Sequence, residues 1–296
     1  VALKAIFNSM KSSNGYVVKD LEKYLMSLNN QENDRAVNVN SPSSAGGCIR
    51  ANFYKRLGYK EDGDISPRLR RIFDNGDHMH ERFQTYLRRS GLLVMEEVPL
   101  RNDGYEIQGH TDGLLQVSNN KLAVLELKSI NDRGFKIVKK EGVKEKHKAQ
   151  GMIYLYSLES RRKELRDKYD NLDEFLADED GRYNYYRSLY QHLKDGKKYS
   201  REEKITFKAD QHDKVDKLLF ETPLPIKEVS FLYENKNDQD MKEYVLKRDD
   251  ELINSLLEGY KELNGYVEKE ELPPRRYKYK SKRPCKWCSF KNRCWE

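Results

Sequence analysis

The chain has 296 residues, 37% of them hydrophobic, 35% charged and 11% aromatic. That length allows one large domain or two small ones, and the absence of any run of about 18 apolar residues excludes a membrane-spanning helix. The net charge is +7, and its placement matters more than its size. Residues Arg275–Glu296 carry nine Lys/Arg and one acid, a balance of +8, so the rest of the chain sums to −1. A second Lys-rich stretch lies at Lys136–Lys148. Basic patches of this kind suit a polyanion, because neutralising phosphates releases counterions, although a solvated tail would have the same composition. The stretch Ala2–Met10 is too short and too weakly apolar for a signal peptide.

In chain order, residues 1–40 read as an N-terminal extension, a helical start followed by the polar stretch Asn29–Asn40. Ser41-Pro42-Ser43-Ser44 gives a helix-start signal with Cys48 just inside. Pro67–Ser90 is predicted helical, with Ile72, Met79, Phe83 and Leu87 spaced to face a core. Three strands are predicted at Leu92–Leu100, Tyr105–Val117 and Lys121–Ile130, with turn residues at Asn102-Asp103-Gly104 and Ser118-Asn119-Asn120. Lys144–Glu159 reads as a helix, and residues 160–225 as a charged, Tyr-rich helical insertion. Ile226–Tyr233 reads as an apolar strand and Met241–Tyr266 as one long amphipathic helix. Pro273-Pro274 opens the basic, cysteine-bearing tail at 273–296. The expected class is α/β, a mixed central sheet flanked by helices.

Chemistry concentrates in two short stretches, Gly109-His110-Thr111-Asp112-Gly113 and Val124-Leu125-Glu126-Leu127-Lys128. Period-two geometry puts Glu126 and Lys128 on one face of a strand and Leu125 and Leu127 on the other. Carboxylates on a strand face are hard oxygen ligands for Mg²⁺ or Mn²⁺, and such a metal activates water and stabilises charge on a phosphate. A neighbouring Lys can assist the water or offset transition-state charge. An ordinary strand-surface ion pair explains the same Glu126–Lys128 spacing. Upstream, Gly76–Glu81 places His80 on the first long helix, where an imidazole ligand would favour Mn²⁺. Downstream, Gln150 and Tyr154 lie four apart on one helical face.

Four elements in this order, GxxxHE at Gly76–Glu81, GxxD at Gly109–Asp112, ExK at Glu126–Lys128 and QxxxY at Gln150–Tyr154, resemble the RecB-family nucleases of the PD-(D/E)xK superfamily. The resemblance implies a restriction-endonuclease-like core over roughly residues 41–160 and 226–296. It implies Mn²⁺ or Mg²⁺ held by His80, Asp112, Glu126 and the Leu127 carbonyl, a catalytic Lys128, and Gln150 and Tyr154 in support.

The chain has four cysteines, Cys48 and then Cys285, Cys288 and Cys294. The spacing reads as a metal site, and it leaves zinc and an iron–sulfur cluster both open. One cysteine before the nuclease motifs and three after them resembles the AddB-type and CRISPR-associated Cas-four exonucleases. That resemblance implies a 4Fe–4S cluster clamping the tail to the region of Cys48. It would bring Lys286, Trp287, Phe290 and Lys291 near DNA as charge interleaved with stackable rings. It further implies a cytoplasmic DNA exonuclease acting at single-stranded or duplex ends, in recombination, repair or processing in bacteria or phage-infected cells. A helicase or recombination partner would supply any motor, since the chain has no GxxxxGK[ST]. A CRISPR-adaptation nuclease and a catalytically silent DNA-binding scaffold are the alternatives.

Overall fold

The structure is a computed structural model, described for residues 16–30, 38–118, 121–191, 193–195 and 199–296. Residues 1–15 of the expected N-terminal extension, residues 31–37 of its polar stretch and the turn residues 119–120 lie outside these.

Helix α1 spans Tyr16–Ser27, and a 3-10 turn at Pro42–Ser44 leads into α2, Ile49–Arg56. Cys48 is the N-cap of α2, so the start signal at Ser41 opens the 3-10 turn rather than the helix. Helix α3, Pro67–Arg89, has Pro67 in its first turn and the Ser66 hydroxyl accepting from the Leu69 amide, two devices that start a helix. Strands β1 (Leu93–Asn102), β2 (Ile107–Ser118) and β3 (Lys121–Ile130) form an antiparallel meander. Between the first two, Asn102 Oδ1 accepts from the Tyr105 amide and Glu106 takes φ +53°.

Helix α4, Asp132–Glu141, follows β3 directly and is capped by Asn131; no helix is expected there from the sequence. Helix α5 runs from Glu145 to Lys168, longer than expected. The 160–225 region contains α6 (Leu172–Ala177), α7 (Glu179–Leu189) and α8 (Arg201–Glu221). The chain then returns as β4, Glu228–Asn235, parallel to β3 with Glu126 opposite Phe231. The expected helix from Met241 is corrected in its first part. Met241–Lys247 is strand β5, antiparallel to β4, and α9 begins only at Asp250. Asp249 accepts from the Leu252 amide and sets that start. The short helices α10 (Arg283–Lys286) and α11 (Lys291–Trp295) end the chain. The sheet order is β1-β2-β3-β4-β5.

Apolar alternation along β3 splits the core in two. Leu125 and Leu127 join Met79 and Phe83 of α3 with Leu93 and Leu115. Leu122 and Val124 face the larger cluster built from α5, β4 and α9, including Met152, Ile153, Tyr154, Phe231 and Leu257. Glu126 and Lys128 continue the Val124 face. Gly151 lets α5 approach β4 closely, since a Cβ there would lie 2.6 Å from Phe231 Cζ. That approach holds Gln150 and Tyr154 over the sheet.

The helical region carries a buried polar network. His212 of α8 is stacked on Tyr186 and hydrogen-bonded through Nε2 to the Tyr190 hydroxyl at 2.7 Å. Burial, with Arg161 and other cations nearby, lowers its pKa from 6.5 to about 3. The folded value lies below the unfolded one, so the unfolded chain takes up the proton first. The stability contributed by the neutral imidazole is therefore complete above pH 6.5 and is lost as pH falls toward 3, at about 1.4 kcal/mol per pH unit. Urea midpoints measured at pH 7 and pH 5 should fall more steeply in the wild type than in His212→Gln. Equal slopes would mean that His212 does not govern this acid sensitivity.

Candidate functional site

Three elements place the expected residues at one point. β2 supplies Asp112, β3 supplies Glu126 and Lys128, and α3 supplies His80. Asp112 Oδ2 accepts the Leu127 amide at 2.6 Å, and Asp112 Oδ1 lies 3.2 Å from His80 Nδ1. The Lys128 ammonium pairs with Glu126 Oε1 and also reaches Gln150 Oε1 at 3.4 Å. Gln150 in turn donates from Nε2 to the Tyr154 hydroxyl, which lies beside Glu126. Glu126 is 1% exposed, and its Oε2 is buried with no hydrogen-bond partner among the described residues.

Electrostatics follow from this packing. Burial, then the neighbouring Asp112 carboxylate, pushes the Glu126 carboxyl well above the usual carboxylate range, against the opposing pull of Lys128. Burial works against charge on His80, but the hydrogen bond and charge of Asp112, with Glu126 behind it, raise its pKa above 6.5. Burial and the carboxylates Glu126 and Asp112 raise the Tyr154 phenol, which stays protonated as a hydrogen-bonding group.

Two residues absent from the sequence expectations complete the surroundings. Gln84, one helical turn after His80, donates from Nε2 to Glu97 Oε1 and to the Asp112 carbonyl, both at 2.9 Å. Glu97 sits in β1 at φ +49°, and burial against the protein on one side raises its carboxyl. The His80–Gln84 spacing of four could have drawn attention to Gln84; nothing in the sequence distinguishes Glu97 from Glu96. The motif glycines differ in purpose. A Cβ on Gly109 would lie 2.7 Å from Pro42 Cδ, so its bareness seats the 3-10 turn on β2, whereas Gly76 faces open space. His78 pairs with Glu81 on the surface, and His110 Nε2 accepts from Lys208 at 3.1 Å.

The expected metals are corrected. Among the described residues no group of three or more His, Cys, Asp or Glu side chains is arranged to hold a metal ion. At the acidic site the reason is visible: Asp112 faces the Leu127 amide and His80, and Glu126 Oε1 is paired with Lys128. These oxygens are engaged by protein nitrogens rather than converging on one cation, so the Mn²⁺ or Mg²⁺ ligand set of His80, Asp112, Glu126 and Leu127 is not formed.

The iron–sulfur staple is corrected on the same ground, and with it the resemblance to cluster-bearing nucleases and the staple in the expected fold class. Cys48, Cys285, Cys288 and Cys294 are free thiols that line one apolar hollow with Tyr54 and Trp295. They do not form a ligand group. Apolar packing and backbone hydrogen bonds dock the tail instead. Phe290, 4% exposed, packs with Phe53, Tyr54 and Leu263. The Asp62 amide donates to the Ser289 carbonyl and the Asn292 amide to Asp62 Oδ2, both at 2.5 Å. Arg50 Nη1 donates to the Pro273 carbonyl at 2.7 Å. Of the expected DNA contacts, Phe290 is therefore buried beneath the tail, Trp287 is 77% exposed, and Lys286 lies over the Trp287 ring. Truncating Phe290 to alanine should cost about 3–5 kcal/mol and free the tail, read as faster proteolysis between residues 273 and 296. Protection equal to wild type would show that Phe290 does not anchor it.

No family model matches the chain, and no curated protein matches it. Among solved structures it is similar to an alkaline exonuclease, LHK-Exo, from Laribacter hongkongensis, at 11% identity and TM-score 0.42, covering 84% of this chain and 94% of that one. It is also similar to LHK-Exo in complex with dAMP, at 12% identity and TM-score 0.42, covering 79% and 90%. The protein SSO0001 is a further similar structure, at 14% identity and TM-score 0.43, covering 93% and 94%. None of these similarities defines a family for this chain. No helix among the described residues is long and apolar enough to cross a membrane.

Proposed function

We propose that the chain is a nuclease that hydrolyses DNA phosphodiester bonds, acting as an exonuclease on single-stranded ends in DNA recombination, repair or processing. The observation that carries this reading is the convergence of Asp112, Glu126, Lys128 and Gln150 on one half-open point of the sheet. A purely structural ion pair would not require a buried carboxylate with one oxygen left unpartnered, since such a group costs stability.

The residues divide the work as follows. Glu126, with its carboxyl raised and Oε2 free, is suited to take a proton from water attacking the phosphorus. Lys128 neutralises charge that builds on the phosphoryl oxygens. Gln150 fixes the Lys128 ammonium, Tyr154 fixes Gln150, and Asp112 holds His80 and the β3 backbone in register. The basic tail, with Lys286, Trp287 and Lys291, provides charge and the exposed Trp287 ring for strand contact.

The test is digestion of end-labelled single-stranded DNA by wild type and by Glu126→Gln, in buffers containing Mn²⁺ and in EDTA. The expected result is cleavage by the wild type, loss in the variant and retained binding in both. The two buffers read whether an added cation is needed. Binding without cleavage in every condition would replace the nuclease reading with that of a DNA-binding scaffold.

A further inference from the structure

Three lysines surround His147, which stands on α5 less than one turn before Gln150. Lys128 lies on β3. Lys144 is the N-cap of α5, with its ammonium beside Gly134, where a Cβ would lie 3.5 Å from Nζ. Lys146 lies in the first turn of α5. His147 marks their common neighbourhood: its ring is stacked on Tyr233 at 5.7 Å, accepts or donates a 2.8 Å hydrogen bond at the Tyr233 hydroxyl, and feels the charges of all three lysines.

Lys128 is engaged by Glu126 and Gln150. Lys146 is exposed and forms no ion pair among the described residues. Its position in the helix is informative. Lys146, Gln150 and Tyr154 follow one another at intervals of four, so they share one face of α5. Tyr154 and Gln150 lie in the site, and Lys146 extends the same face outward. There it becomes a wall of a groove of about 550 Å³, a size that accommodates a small-molecule unit such as one nucleotide. The opposite walls include Ser43 and Asn52, and Lys55, Glu61 and Glu145 also line it. Two lysines and two glutamates balance its charge as a whole. The attraction for an anion is therefore local, at Lys146, the groove residue that stands one helical turn before Gln150 on the same face of α5.

We propose that this groove carries the substrate strand on one side of the scissile position and that Lys146 holds the phosphate next to the one being cut. The inference rests on the nuclease reading above. It commits the groove to a single DNA strand because Lys146 shares its helical face with Gln150 and Tyr154 of the site, and because Lys146 forms no ion pair among the described residues while lining the groove.

The experiment uses the full chain and a 5′-fluorescein-labelled 12-mer of deoxythymidylate. kcat and KM for its digestion, and the salt dependence of its binding, are measured for the wild type, Lys146→Ala, Lys146→Glu and Lys146→Arg. Lys146→Glu is expected to raise KM about tenfold with kcat within about twofold, and Lys146→Arg to stay near wild type. Lys146→Ala is expected to flatten the slope of log affinity against log salt by about 0.7, the amount for one single-strand phosphate contact. If the wild type digests the oligonucleotide while Lys146→Glu keeps the wild-type KM and salt slope, the groove proposal fails and the nuclease reading stands. A fall in kcat at unchanged KM would also overturn it, because Lys146 would then act on the chemistry and not on the strand. A wild type that neither binds nor cuts the oligonucleotide removes the nuclease reading and the groove proposal together.

Discussion

Lys128→Ala is expected to slow single-turnover hydrolysis of DNA about 10²–10³-fold, the usual cost of deleting one preorganised group aimed at transition-state charge. The ammonium is held from two sides, by Glu126 and by Gln150, so it is in position before substrate arrives. Its removal acts twice. It deletes the cation that the proposed mechanism sets against the reacting phosphate, and it leaves the Glu126 carboxylate buried without its counter-charge, which favours the protonated acid and would remove the proposed base. The variant should therefore also show an activity profile displaced to higher pH, because Glu126 releases its proton later. DNA affinity should change less than threefold or so, since one phosphate contact among several is lost. A variant that cuts within a factor of about two of wild type would exclude Lys128 from the chemistry.

Asp216→Ala should destabilise the fold by about 3–5 kcal/mol. Asp216 is 1% exposed and receives three N–H contacts from Arg161, from Nε at 3.1 and 3.0 Å and from Nη2 at 2.5 Å. The Tyr186 hydroxyl donates to it as well. Together these tie α5 to α7 and α8. Removing the carboxylate strands a guanidinium that is only one-quarter exposed and orphans a buried phenol. Urea denaturation of Asp216→Ala, Arg161→Met and the double variant provides the measurement. The double variant should recover part of the loss, because two absent charges cost less than one unpaired charge. Strict additivity of the two single effects would mean that the pair does not interact.

The sheet strands around the site were legible because their signals are local. Lys121–Ile130 is an apolar run bounded by turn residues, interrupted at period two by Glu126 and Lys128, and its bounds agree with β3. Pro67, Ser66 and the spaced Met79 and Phe83 define α3 in the same way. Met241–Lys247 misled for a physical reason. Its apolar residues, Met241, Tyr244, Val245 and Leu246, are compatible with a helical face, and pairing with β4 decides the outcome; tertiary context overrides local preference in such edge strands. The Asp249 cap was readable but lay inside the expected helix. At the site, Asp112, Glu126 and Lys128 stood out as charges within apolar strands, whereas Glu97 is distinguished from Glu96 by its contact with Gln84 of α3, which the fold alone supplies. The cysteine pattern suggested a cluster, but spacing along a chain does not fix how thiols are aimed in space. The charged 160–225 region read only as a helical insertion, because composition alone cannot show that Asp216 and His212 are buried and paired with Arg161 and Tyr190.

The parallel pairing of β3 with β4 has a consequence for how the molecule comes into being. Residues 131–227 separate the two strands, all of α4 to α8 among them. Until that length has left the ribosome, β3 has a bare edge, and the strand bearing Glu126 and Lys128 is open to any extended peptide that meets it. Local hairpins close quickly, while pairings distant in sequence wait on loop closure. The β1–β2–β3 meander is thus set to form early, and the sheet to be sealed only when β4 arrives. The competence of this site is consequently acquired late in synthesis, and its period of greatest aggregation hazard is the interval in which the helical excursion is made.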